Sequence, residues 1–304
     1  MKTNGRAFPA IADPLENEMT ENTAKGRIVV GVDASAHAMH AAAWAAREAA
    51  DRSLDLHLVH AMDIPATPGT VSPEKYLRAG YQSSDNLLDK VAEQLREQHP
   101  SLTVTTETAE LSAPETLVTL SREAELVVTG TRGHGGFAGL LLGSVSLKTA
   151  SHAHCPAVVV HGEREDVRNE IVLGVELGQN QAPIHFAFES AKQLGATVTV
   201  VRAWLSAPAY GGYYLTPVGA TEAEHQGEVE ELLKGVREEF PDVEVTVRVV
   251  RDNAIPALVT ASKGAHLLVV GAHRRRGPLS VGAGYVVQGL LSHAHTPVAV
   301  VPIS

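Results

Sequence analysis

The sequence predicts an α/β protein built as two tandem doubly wound domains, and three observations carry that prediction. Runs rich in Val, Ile and Leu alternate with helix-forming stretches along the chain, the pattern of a parallel sheet covered by helices on both faces. The same order of runs occurs twice: RIVVGVDAS returns as EIVLGVELG, ELVVTGTRGHGG as HLLVVGAHRRRG, and TASHAHCPAVVV as LLSHAHTPVAVV. The copies also stay in register, with Gly31 and Gly174 143 residues apart and Gly130 and Gly271 141 apart. We therefore divide the 304 residues into a disordered leader over 1–26, a first domain over 27–161 and a second over 170–303, joined by the polar GEREDVRN.

Element by element, residues 1–26 are polar and without period, and Met19 is an alternative start. RIVVGVDAS is a β run closing in turn residues, and AHAMHAAAWAAREAA after it is an alanine-rich helix. LDLHLVHAM supplies a second strand at the separation of a βαβ crossover. A variable stretch follows, then a helix near SSDNLLDKVAEQLREQH and a strand at LTVTTETAEL. The next helix opens at SAPETLVTLSREA, where Ser112, Pro114 and Glu115 have capping-box spacing with proline in the first turn. ELVVTG, a last helix and CPAVVVH complete the unit. In the second copy, residues 206–228 break the repeat; they read as a variable loop before a helix, with a partner surface or a lid as the alternative.

Composition narrows the function. A net charge of −10 with no long basic stripe argues against binding to nucleic acid or to an anionic membrane surface, so any anion must be held locally. No apolar run approaches the roughly 20 residues of a membrane span, and no secretion signal opens the chain, which makes the cytoplasm the expected location. The single cysteine, Cys155, rules out an internal disulfide and reads as a small buried residue. Fifteen histidines invite a metal site, above all at His152 with His154 and at His293 with His295. Neither pair has a local carboxylate partner, so helix-terminal hydrogen bonding is the expected role and no protein-held metal is expected.

In an open α/β sheet, ligands sit beyond the carboxyl ends of strands where the strand order reverses. Two segments of the first copy meet that description: the GVDAS end of the first strand and the loop after ELVVTG. Gly130 and Gly133 offer positive φ and close backbone approach, and Gly143 precedes a helix carrying Ser144 and Ser146. These features suit a polyphosphate, with Asp33 accepting hydrogen bonds at the nucleoside end. On spacing alone the alternative is that the glycines turn the chain and Ser144 caps a helix. The loop is neither a P-loop nor the GxGxxG dinucleotide fingerprint.

GVDAS, GTRG followed by nine residues and GS, and SHAHCPAVVV together resemble the universal stress proteins, in the tandem form common in actinobacteria, across residues 27–302. Gly130, Gly133, Gly143 and Ser144 match the G-x2-G-x9-G-[ST] signature of the ATP-binding branch. The resemblance implies a five-stranded parallel sheet in each half, of the adenine nucleotide alpha hydrolase-like, Rossmann-like kind, with the halves paired through their last strands. It implies ATP carried with Mg2+ or Mn2+. Gly31, Asp33 and the backbone near Ala61 would face the adenosine, and Gly130, Gly133, Gly143, Ser144, Val145 and Ser146 the phosphates; Arg132, inside the loop, adds charge there or is simply solvated. It further implies a regulatory, nucleotide-responsive role in stress, dormancy or hypoxia with protein partners; a nucleotide-independent scaffold and a slow ATPase are the alternatives. Two similar halves also suggest a homodimer.

The second copy keeps Gly174, Ala203, Gly271 and Gly284 but has Glu176 for Asp33, Gly178 for Ser35, Arg274 for Gly133 and Tyr285 for Ser144. A side chain at the second loop position blocks close approach and a tyrosine ring crowds the phosphate end, although HRRRG offers guanidinium groups instead. Weak or no nucleotide binding is expected there. No P-loop lysine, kinase motif or G-x-S-x-G elbow is present, and His134 reads as a solvated loop side chain, so no catalytic residue is assigned.

Overall fold

The central strand runs carry β-branched or leucine side chains at odd and even positions alike and bury on both faces, as over Leu126–Gly130 and Ala157–Val160, whereas Val104–Ala109 and Val245–Val250 at the two ends of the sheet are partly exposed. The computed structural model describes residues 26–62, 73–133, 141–162, 167–204, 221–273 and 284–303. The first half runs β1 (Arg27–Gly31), α1 (Ala36–Asp51), β2 (Asp55–Ala61), α2 (Pro73–Gln98), β3 (Val104–Ala109), α3 (Ala113–Leu120), β4 (Leu126–Gly130), α4 (Ser144–His152) and β5 (Ala157–Val160). The second runs β6 (Arg168–Gly174), α5 (Ala182–Leu194), β7 (Thr197–Ala203), α6 (Glu222–Glu239), β8 (Val245–Val250), α7 (Ala254–Ser262), β9 (Ala265–His273), α8 (Tyr285–His293) and β10 (Val298–Ile303).

All strands join one ten-stranded sheet in the order β3-β2-β1-β4-β5-β10-β9-β6-β7-β8. Each half is parallel within itself, and the order reverses between β1 and β4 and again between β6 and β9. The halves meet at their last strands, where β5 and β10 pair antiparallel with Ala299 opposite Val158. That antiparallel seam turns the carboxyl ends of the two sets of strands toward opposite edges of the sheet.

Burial follows the sequence pattern. In α1, Ala41, Ala42, Ala45, Ala46 and Ala49 lie against the sheet with almost no exposure, and their small size lets the helix approach closely. One cluster on this face runs without a break from Ile28 and Val158 of the first half to Phe188 and Ala299 of the second. On the opposite face α4, α7 and α8 cover a second cluster that also crosses the seam.

Two expectations need correction. The helix placed near residue 83 begins at Pro73, a start that proline favours because its missing N–H is one of the helix's unpaired donors anyway. At Ser112 the spacing forms no reciprocal box: its hydroxyl donates to Glu115 Oε2 at 2.6 Å and caps no amide. The box forms instead at Thr221 and Glu224, ahead of α6. Residues 1–25 of the leader, His134, Arg274 and residues 206–220 lie outside the described residues.

Candidate functional site

The reversal between β1 and β4 draws the predicted residues of the first half to one lip of the sheet. At the end of β1, Ser35 N–H donates to Asp33 Oδ1 at 2.9 Å, an Asx turn that swings the chain into α1. Ser35 Oγ then accepts from Ala38 N–H as N-cap and lies 3.4 Å from the Arg132 carbonyl, to which it donates. From β2, His60 Nδ1 donates to the Val32 carbonyl at 2.7 Å, fixing the same turn beside Ala61.

From β4 the glycine loop closes against that turn. A methyl on Gly130 would stand 2.5 Å from the His37 carbonyl oxygen, and one on Gly133 2.6 Å from Asp33 Oδ2. Neither glycine takes positive φ, and Gly143 sits at φ −80°. Of the two reasons the sequence offers for these glycines, the left-handed turn is absent and close approach remains, tightest at Gly130. Gly143 N–H donates to the Thr131 carbonyl at 2.7 Å, bringing the start of α4 back beside the loop.

The serines divide. Ser146 is buried and its hydroxyl donates to the Gly130 carbonyl at 2.6 Å, so it braces the loop and leaves only its backbone for a ligand. Ser144 is exposed at the first helical position, Val145 is half-buried behind it, and no side chain caps α4. The amides of that first turn, with the positive end of the helix dipole, face the lip. Arg132 Nε is buried without a hydrogen-bond partner among the described residues. Burial, then the neighbouring Arg132 and His40, lower the pKa of His37 against the opposing pull of Asp33. Among the described residues of the lip, Arg132 supplies the guanidinium.

In the second half Gly174, Glu176, Ala203 and Gly271 line the equivalent cleft, an open cavity of about 930 Å3. Its size suits a small molecule. Tyr285, expected to crowd the phosphate end, lines the rim of this cavity with 73% of its surface exposed, and Gly284 before it takes φ +86°. Glu176 is exposed, its amide tied to Gln179 Oε1 at 3.1 Å. The sequence reading missed Gln179 and Arg202, whose Nε2 and Nε are buried in this wall without partners among the described residues. No motif marks either; only the fold turns them inward.

Elsewhere the histidine reading holds at two positions, since His152 Nδ1 donates to the Lys148 carbonyl and His293 Nδ1 to that of Gly289, each one turn back. Among the described residues no three or more His, Cys, Asp or Glu side chains converge to hold a metal ion, and no helix is long and apolar enough to cross a membrane. Cys155 is buried, and burial pushes its thiol up to about 12.

Comparison with known proteins agrees along the whole repeat. The universal stress protein family model matches residues 25–161 and again 168–302. A universal stress protein of Mycolicibacterium smegmatis is 33% identical over 300 residues, covering 93% of this chain and 99% of that one. One of Mycobacterium tuberculosis is 33% identical over 291 residues, covering 90% and 95%. The crystal structure of a universal stress protein from Archaeoglobus fulgidus shares the fold, with a TM-score of 0.69 at 12% identity over 91% of this chain and 98% of that one.

Proposed function

Since the chain belongs to the universal stress protein family, we propose that it is a regulatory protein whose N-terminal cleft takes ATP and whose shape or partners respond to that nucleotide. The observation that carries this reading is the lip itself, where Gly130 passes so close to the His37 carbonyl that a methyl group does not fit, and Gly133 lies against the Asp33 carboxylate, which a methyl there would have to push aside. Side-chain-free backbone, an uncapped helix start and the buried Arg132 Nε, without a partner among the described residues, form a cradle of donors, which suits phosphate oxygens. Asp33, beside Gly133, is the acceptor for hydroxyl or amino groups at the nucleoside end. Mg2+ or Mn2+ would arrive with the nucleotide and neutralise its phosphates. The role belongs to the response to stress, dormancy or hypoxia, exercised through protein partners and in a homodimer. In the second half the cavity is present, but the loop carries Arg274 where the first has Gly133. We assign it weak ATP binding or none.

Calorimetry with ATP and Mg2+ on the purified full chain tests the reading. One strong site per chain is expected, with affinity falling about tenfold in Asp33→Ala, the loss of about one charge-assisted hydrogen bond. No heat, together with no nucleotide released from the purified protein by acid, would overturn it. Two equivalent sites would overturn its restriction to the N-terminal half. A nucleotide-independent scaffold is the second reading, favoured by the exposed Tyr285 and Val286 on the rim of the second cleft. It predicts partner capture unchanged by ATP.

A further inference from the structure

α1 touches the proposed site at one end and the other half of the molecule at its other end. Over 16 residues it spans about 24 Å. Its N-cap Ser35 and its His37 carbonyl meet the glycine loop directly. In its last turn Glu48 is fully buried, with Oε1 2.6 Å from His266 Nε2 of β9. Arg52, just past the helix, donates from Nε to Glu48 Oε2 at 3.0 Å and from Nη2 to Ser190 Oγ of α5 at 3.2 Å. Its guanidinium lies 5.8 Å from the centre of the Phe186 ring, and Trp44, one turn back in α1, stands 6.4 Å from the His266 ring. His266, Ser190 and Phe186 all belong to the second half. β9 continues from His266 to Gly271, which lines the second cleft.

A buried carboxylate is costly to strip of its partners. α1 therefore cannot slide against β9 without breaking the Glu48–His266 bond, nor shift at its other end without opening or closing the contact under Gly130. Between these ends the helix is packed on the sheet by alanines, which leave it no side-chain slack to absorb a displacement.

We propose that α1 is a strut coupling the two clefts: a displacement imposed at the glycine loop is delivered through Glu48 to His266 and β9, and so to the C-terminal cleft on the opposite edge of the sheet. As regulation of the proposed nucleotide site, this rests on the reading given above, although the mechanical link can be probed without any ligand.

The experiment is amide hydrogen exchange on the full chain in wild type, Gly130→Ala, Glu48→Gln and the double variant. Gly130→Ala forces its methyl onto the His37 carbonyl; if that variant does not fold, Ser35→Gly perturbs the same end more gently, and His266→Gln replaces Glu48→Gln on the same ground. The strut predicts about tenfold faster exchange around His266 and Leu267 in the loop variant. It also predicts that the loop substitution adds nothing once Glu48 is Gln, because both act through one connection. Effects confined to the first half, or strictly additive in the double variant, would overturn it. Addition of ATP and Mg2+ separates the two proposals. If calorimetry finds no ATP binding while the variants stay non-additive, the nucleotide reading falls and the strut stands. If ATP binds and β9 exchanges unchanged, the strut falls.

Discussion

Glu48 is the residue on which the joint between the halves turns. Burial alone would raise its carboxyl pKa, but the hydrogen bond from His266 and the charge of Arg52 outweigh burial and hold it below its ordinary value of 4.5. A folded value below the unfolded one means that the ionised pair stabilises the fold fully above about pH 4.5, and that this stability is lost as the pH falls through the folded value. Glu48→Gln, which leaves the Arg52 guanidinium without a counter-charge, is expected to cost about 3 kcal/mol near neutrality. Urea unfolding down a pH series checks this: the gap to wild type narrows with acidification, and a gap independent of pH would contradict the role. The sequence singles out the candidate site residues but not this one. Gly130, Gly133, Gly143 and Ser144 announce themselves by spacing, whereas Glu48 and Arg52 have only an i,i+4 spacing that many surface pairs share. The histidine that buries the carboxylate lies 218 residues away.

At the scale of elements, α1 shows how one cap serves two purposes. Ser35 ends the β1 turn, satisfies Ala38 N–H and reaches the Arg132 carbonyl. Ser35→Ala is expected to lower stability by about 1 kcal/mol, and Ser35→Gly by a few tenths, in urea denaturation; equal losses would show that the hydroxyl is not the cap. Element types were legible because period and composition agree along the whole chain. Boundaries and caps were less so. Ser112–Glu115 and Thr221–Glu224 share one spacing, yet only the second pair forms the reciprocal box. The difference lies in where each side chain points, which a spacing rule does not contain. Positive φ was likewise assigned to Gly130 and Gly133, whose actual constraints are the His37 backbone beside the first and the Asp33 carboxylate beside the second. Close approach between distant segments is a property of the fold and leaves no local mark beyond the glycine itself.

For the whole molecule the seam dominates. β5 is only four residues long and entirely apolar, and all four are buried because β10 covers its outer side. An uncovered apolar edge of this kind pairs with whatever strand it meets. A chain cut to residues 26–161 is therefore expected to dimerise through β5, and light scattering should find twice the half-chain mass, reduced to the monomer by Val158→Pro, which removes a ladder donor. A monomeric half-chain would show that β10 is not needed to cover that edge. The doubling and the joining of the halves were foreseeable from the repeat and the resemblance; the continuity of the core across the joint was not, since it depends on which faces the helices of both copies share.

The seam also carries an evolutionary consequence. When identical subunits pair, every mutation strikes both at once, so neither can be altered without altering its twin. Joining the twins in a single polypeptide lifts that obligation, and the drift of Gly133 and Ser144 in one copy to Arg274 and Tyr285 in the other is the kind of divergence it permits. The molecule keeps the scaffold of a symmetric pair while the loops of its two halves are free to differ.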